Sequence, residues 1–252
     1  MIENDQALLE VRNLHKAFGG VHAVNGVSFS LYPGEIVAIV GDNGAGKSTV
    51  IKMIAGAYKR DEGEILWQGQ PVHVNSPDEA RKLGIETMYQ ELALVGDLDP
   101  ASNVFLGQEP MRLLLGFIPV LDRPKMRQET ERLLSRVKIT LPDLDTPVRQ
   151  LSGGQRQASA IARFLRNEQA KLIIMDEPTA ALGVQETQKV IELIRQLKIE
   201  GITVLAISHN LEHVFTLADR IIVLRNGRVA GIRDTHTTSK QQIVSLIMGA
   251  ED

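Results

Sequence analysis

The sequence predicts an α/β fold with a parallel-sheet core, an N-terminal antiparallel β subdomain and an inserted α-helical subdomain. Three observations lead there. Glu35-Ile36-Val37-Ala38-Ile39-Val40 is a short apolar run ahead of a glycine-rich turn and a helix-like stretch, Ser48 to Ala57, that carries Val50, Ile51, Ile54 and Ala57. Apolar strand patterns return at Lys171 to Met175 and Ile202 to Ile207, separated by a helix whose inward face is Val190, Leu193, Ile194 and Leu197 and which Gly201 closes. Strands alternating with helices build a parallel sheet. Between these regions Met126, Thr130, Leu133, Leu134 and Val137 recur at helical spacing, punctuated by Pro119, Pro124, Pro142 and Pro147, which marks a helical insertion.

In chain order, Leu8 to Val11 and Val27 to Leu31 read as strands, as do Glu64 to Trp67 and Gln70 to His73 around a Gln68-Gly69 turn. These are antiparallel in expectation. Ile221 to Arg225 and Arg228 to Ile232 flank Asn226-Gly227, the strongest short hairpin signal. The division that follows is one domain over 1–252, with roughly 1–90 and 168–252 as core plus β subdomain and 91–167 as the helical part. A chain of 252 residues with 43% apolar content has material for a sizeable core. It has no cysteine, so disulfides and thiolate metal sites are excluded and an intracellular setting is the simplest expectation. Met1 to Asp5 lacks the basic and apolar regions of a signal peptide. Leu113 to Val120 is the longest apolar stretch, well short of the about 20 residues that span a bilayer. A net charge of −3 without a long basic run argues against nucleic acid as the partner.

Gly41-Asp42-Asn43-Gly44-Ala45-Gly46-Lys47-Ser48-Thr49 fits G-x-x-x-x-G-K-[ST] without a mismatch, between a strand and a helix as that motif requires. In such a Walker A loop the backbone N–H groups cradle phosphates, Lys47 reaches the β and γ oxygens and the Ser48 hydroxyl ligates magnesium. Leu172 to Met175 ends in Asp176-Glu177. An apolar strand delivering two carboxylates suits a magnesium nucleotide site, with Asp176 holding the metal's water shell and Glu177 polarising the attacking water. Leu151-Ser152-Gly153-Gly154-Gln155 precedes a helical stretch from Arg156 to Arg166. Ser152 and Gln155 have capping-box spacing, but the box does not explain Gly153 and Gly154, each of which costs about 1 kcal/mol against alanine in a helix. Bare backbone at a helix N-terminus is an anion site, so the glycines point to a phosphate that comes close.

With these motifs the chain resembles the nucleotide-binding subunit of an ATP-binding cassette (ABC) transporter over nearly its whole length. The family's order is kept: an adenine-stacking aromatic (Phe18), Walker A, a Q-loop glutamine (Gln90), the LSGGQ signature, Walker B (Asp176, Glu177) and a switch histidine (His209). The resemblance implies the P-loop NTPase fold of ABC ATPases, ATP and Mg²⁺ as ligands, and ATP hydrolysis. It also implies a head-to-tail dimer, in which Ser152, Gly153, Gly154 and Gln155 of one subunit meet the γ-phosphate held by the other's Walker A. In that family Gln90 contacts magnesium and links to the membrane subunit, while His209 senses the γ-phosphate. Plainer roles compete at several positions: Phe18 as a half-buried core aromatic, Gln90 as a strand end, and His209 with His213 as an i, i+4 metal pair that lacks a third ligand.

One position departs from the family. Ala180-Ala181-Leu182 is followed by Gly183 where a D-loop aspartate, which ties the two active sites together, is usual. The stretch Gln90 to Leu94 with Asn103 to Glu109 resembles bacterial monosaccharide importers, whose ATPases are often two fused cassettes. A single set of motifs implies pairing with another chain, by homodimerisation or with a second ABC subunit. Membrane permease subunits, a solute-binding protein acting indirectly, and a cytoplasmic position on the inner face of the membrane complete the expectation. Leu113 to Val120 falls in the insertion, where the family docks its permease; a core segment of that insertion is the alternative. The competing functional class is a non-transport ABC ATPase acting on nucleic acid or ribosomes. A GTPase or small-molecule kinase fits less well, because neither carries the signature and no Asn-Lys-x-Asp occurs.

Overall fold

The structure, a computed structural model, describes residues 6–89, 93–139, 141, 143–180 and 182–250. These fall into two compact units, one within 1–87, 169–178 and 197–252 and the other within 88–168 and 179–196. The chain begins with strands β1 (Leu9–Phe18), β2 (Val21–Leu31) and β3 (Ile36–Val40), helix α1 (Lys47–Ile54), strands β4 (Glu62–Trp67) and β5 (Gln70–Val72), helix α2 (Pro77–Leu83) and strand β6 (Ile85–Met88). Next come α3 (Pro100–Phe105), the hairpin β7 (Met111–Leu114) and β8 (Ile118–Leu121), α4 (Arg123–Arg136) and α5 (Gly153–Leu165). The chain closes with β9 (Leu172–Asp176), α6 (Val184–Ile199), β10 (Thr203–Ile207), α7 (Leu211–Leu217), β11 (Arg220–Arg225), β12 (Arg228–Asp234) and α8 (Lys240–Met248).

The first unit has two sheets. A six-stranded sheet runs β12-β11-β3-β10-β9-β6 and a four-stranded one β2-β1-β4-β5. β11, β3, β10 and β9 pair in parallel, so their C-terminal ends share one edge. Only apolar residues make up β3, and every one is buried, as expected for a strand covered on both faces. One cluster joins the two sheets: Val50, Ile51, Met53 and Ile54 of α1 pack with Leu9, Val11 and Leu14 of β1 and Ile39, Ile174 and Ile207 of the parallel sheet. Each such side chain, fully buried, contributes about 1.5–3 kcal/mol. β1 and β2 outrun the strands read from sequence because register shifts after Val11, with Asn13 at φ 48°, break the alternation that would have revealed them. Asn226 and Gly227 both have positive φ, as a two-residue hairpin turn between β11 and β12 requires.

In the second unit α4 buries Met126, Thr130, Leu133 and Leu134, the face its periodicity predicts, and Asp122 caps its first turn through the Lys125 N–H. Pro124 opens this helix instead of breaking one, since an N-terminal position needs no N–H. Asn103 of α3 is fully buried and satisfied: its Oδ1 accepts from Val95 N, and its Nδ2 donates to the carbonyls of Val95, Leu98 and Asp99. The apolar run Leu113 to Val120 is not core. It forms the β7–β8 hairpin and leaves Leu113, Leu114, Leu115, Phe117 and Ile118 exposed, with Leu115 77% and Phe117 73% accessible.

Candidate active site

The glycine-rich loop leaves β3 and turns directly into α1. Gly41 lies at φ 148°, and a Cβ there would sit 2.1 Å from the Leu224 carbonyl oxygen of β11, so only glycine fits. Gly46, at φ 98°, is the residue before α1, and a Cβ there would strike the Ala23 carbonyl at 2.4 Å. No side chain caps α1, which leaves its first N–H groups open to an incoming anion. Asp42, Asn43, Gly44 and Ser48 are exposed, Thr49 is half-buried and Ala45 is buried. Lys47 is only 6% exposed, and its Nζ donates to the carbonyls of Gly41 (2.7 Å) and Asp42 (2.8 Å). Burial pushes its pKa down, against the pull of Glu177, Asp42 and Asp176. From behind, Gly227 N–H donates to the Ala45 carbonyl at 3.2 Å, so the β11–β12 turn braces the loop.

The neighbouring strand ends supply the charges. Asp176 ends β9 and pairs in register with Ile207 at the end of β10; Ser208 and His209 follow on the same edge as the loop. Glu177 has φ 54°, the left-handed region that non-glycine residues seldom enter, and its N–H is tied to the Ile207 carbonyl at 3.0 Å. This backbone turn aims the side chain. Its Oε1 is buried, lies 3.0 Å from His209 Nε2 and has no hydrogen-bond partner among the described residues. Burial raises the pKa of Glu177, opposed first by His209, and burial likewise raises Asp176 against Lys52, Lys47 and His209. Among the described residues no group of three or more His, Cys, Asp or Glu side chains is placed to hold a metal. A hydroxyl at Ser48 and a carboxylate at Asp176 are hard oxygen donors of the kind magnesium takes, with phosphate and water filling the other positions.

The signature loop belongs to the second unit. Ser152 caps α5 by accepting from Gln155 N, and Gln155 Oε1 returns an acceptor to Ser152 N at 2.9 Å, which completes the capping box. The two glycines differ. A Cβ on Gly153 would lie 2.4 Å from Leu182 Cδ2, whereas one on Gly154 would meet nothing nearer than 3.8 Å. Phe18 ends β1, 45% exposed, edge-on to Tyr58 at 5.4 Å and beneath Lys16 Nζ at 5.5 Å. It is therefore no core aromatic. Gln90 lies outside the described residues. His213 is half-buried, with its N–H donating to the Asn210 side chain that caps α7.

Sequence reasoning missed three contributors. Lys52, one turn into α1, lowers the charge cost at Asp176, and Tyr58 flanks Phe18. The third is Glu186, whose Oε1 accepts from Gly153 N at 3.1 Å. A sequence signal for it existed in its place three residues after Gly183, where an acid favours a helix start.

A family model described as ABC transporter matches residues 24–180. The xylose/arabinose import ATP-binding protein of Sulfolobus acidocaldarius is 47% identical over 240 residues, covering 95% of this chain and 93% of that protein. The fructose import ATP-binding protein of Rhizobium meliloti is 44% identical over 250 residues, 98% of this chain and 96% of its own. A ribose import ATP-binding protein of Rubrobacter xylanophilus is also 44% identical, but the match takes in only 47% of that longer protein. Among solved structures, a nucleotide-free ATP-binding cassette from an ABC transporter superposes with TM-score 0.81 at 28% identity, covering 96% of this chain and 95% of that one. A bacterial ABC transporter cassette solved as a dimer gives 0.73 at 28% identity, covering 90% and 98%.

Proposed function

The chain belongs to the ABC transporter family, and from that premise we propose that it is the ATP-hydrolysing subunit that drives uptake of a monosaccharide through a membrane permease. Relatives named for xylose/arabinose, fructose and ribose import support the substrate class. The observation that carries the catalytic reading is the buried, unbonded Oε1 of Glu177, held by a left-handed backbone on the same sheet edge as the Walker A loop.

In this reading the loop N–H groups from Gly41 to Thr49 and the Lys47 ammonium hold the phosphates of ATP, and Phe18 stacks on the adenine. Ser48, Asp176 and Gln90 would hold Mg²⁺, which would neutralise phosphate charge. Glu177 Oε1 accepts a proton from the water whose oxygen attacks the γ-phosphorus, as the bond from that phosphorus to the bridging oxygen breaks and ADP leaves with the electron pair. His209, whose Nε2 lies 3.0 Å from that carboxylate, orients it and reports on the γ-phosphate. Ser152, Gly153, Gly154 and Gln155 complete the site of a second copy, so hydrolysis waits for ATP to bridge two subunits. The exposed apolar β7–β8 hairpin docks the permease, which holds the protein on the cytoplasmic face of the membrane. A solute-binding protein chooses the sugar.

The test is the isolated membrane complex. Sugar with its binding protein is expected to stimulate ATP turnover, and Glu177→Gln is expected to lower turnover about 10²–10⁴-fold while ATP-bound dimers accumulate. Turnover indifferent to Glu177→Gln refutes the assignment; association with RNA or DNA and no permease refutes the transport role.

A further inference from the structure

Gly183 stands where the family's D-loop aspartate is usual, yet the segment after Leu182 is not untethered from the signature loop. Glu186 Oε1 accepts from Gly153 N at 3.1 Å, and its Oε2 accepts from Gly183 N at 3.4 Å. Gly183 precedes α6, its carbonyl receiving Thr187 N–H at 2.9 Å, so Glu186 is the third residue of that helix and reaches back to the N–H in front of it. A glycine there has no side chain to cap with. One carboxylate thus serves the first turns of two helices, α5 and α6, and it carries the charge that both positive helix ends favour.

From this geometry we infer that Glu186 is a positioning residue for ATP-driven dimerisation, a clamp that fixes the signature loop to the D-loop segment within one subunit. The inference rests on the proposed sandwich of ATP between two copies. Capping of α6 alone needs only the contact to Gly183. The second oxygen is spent on Gly153, a residue 33 positions away whose missing side chain lets Leu182 pack against it. Leu182 and Glu186 therefore both pack on Gly153, which keeps the N-terminus of α5 aimed while Gly154 carries no side chain. Where the family uses an aspartate to tie its two sites, this chain ties the loop to its own neighbour first.

Three proteins in the Glu177→Gln background separate the clamp from simple helix capping: the parent, Glu186→Ala, and Glu186→Ala with Gly183→Asp. A Cβ at Gly183 meets nothing within 4 Å, so aspartate there restores a cap to α6 without restoring the bond to Gly153. Amide hydrogen exchange at Gly153 in the nucleotide-free protein is expected to speed up in both Glu186→Ala proteins; unchanged exchange overturns the clamp. The double variant is expected to recover the Tm lost by Glu186→Ala while its ATP-dependent dimer stays roughly tenfold weaker than the parent's, about 1.4 kcal/mol. ATP affinity of the monomer should not move, since its loop is built from other residues. Recovery of dimerisation together with Tm would reduce Glu186 to a cap and overturn the inference. A parent that fails to dimerise with ATP overturns the proposed function instead, and the exchange measurement then still decides the clamp.

Discussion

Gly154→Ala separates what the fold needs from what a partner's phosphate needs. In this chain the added methyl would find its nearest neighbours at 3.8 Å (Glu186 O) and 4.0 Å (the Cβ atoms of Glu186 and Lys189), ordinary van der Waals distances. The residue sits in the first turn of α5 without a positive φ. Replacing glycine by alanine in a helix gains about 0.5–1 kcal/mol, which for a protein of this size raises Tm by about 1–4 °C. If the second glycine of the signature exists so that a γ-phosphate from another subunit can approach the backbone, the same methyl overpacks that interface at a cost of about 1–3 kcal/mol. That is roughly a five- to 150-fold weaker ATP-dependent dimer. Thermal denaturation reads the first effect. Light scattering of the Glu177→Gln protein with saturating ATP and magnesium reads the second. A variant that is more stable and dimerises as tightly as its parent would refute the reasoning, because the bare backbone at Gly154 would then have no use. Gly153→Ala is the contrast: its methyl would sit 2.4 Å from Leu182 Cδ2, so loss of dimerisation there would not distinguish interface from fold.

Two further outcomes follow from the same site and the hairpin. Leu115→Asp and Phe117→Asp alter side chains that are mostly solvent-exposed, so stability should stay within about 0.5 kcal/mol while co-purification with the permease is lost; retained co-purification would remove the hairpin from the docking surface. Glu177 must be ionised to accept a proton, and burial raises its pKa, so kcat should fall on acidification at a higher pH than an ordinary carboxylate allows. For folding the sign is the reverse: the folded state holds that proton more tightly than the unfolded chain, so this group's contribution to stability is greatest below its unfolded pKa and is lost as pH rises through the folded one. A kcat profile flat down to the usual glutamate range would contradict the burial argument.

What the sequence made legible was local. The Walker A loop, the strand ending in Asp176-Glu177, the capping box of Ser152 and Gln155 and the Asn226-Gly227 turn are each written within a few consecutive residues, and each demands its own backbone geometry. The hairpin was left open between docking surface and core for the opposite reason. Leu113 to Val120 is apolar, apolarity usually means burial, and nothing local says that these strands project into solvent. Leu115 at φ 54° beside Gly116 at φ 82° is a turn, but a leucine is not among the residues that announce one. Contacts far apart in sequence were equally silent. Gly153 looked like a residue waiting for an external anion, and the structure gives its N–H to Glu186, leaving Gly154 as the glycine the fold does not explain.

That reassignment bears on the order of events. In the first unit Lys47 already bonds two loop carbonyls, the glycines already hold their positive φ, and Gly227 already braces Ala45. An arriving phosphate then exchanges neutral acceptors at Lys47 for charged ones, which form hydrogen bonds about twice as strong, and little backbone ordering is left to pay for. On the proposed function, ATP binding is therefore a property of one subunit. The second unit holds the Gly153 N–H on Glu186 before any nucleotide arrives, so on the same reading a partner's phosphate competes with that carboxylate at Gly153 and meets no side chain at Gly154. Binding and dimerisation thus draw on separate residues. Variants at Lys47 should fail before ATP is held, and variants at Gly154 or Glu186 only after, with nucleotide bound and no second subunit closing over it.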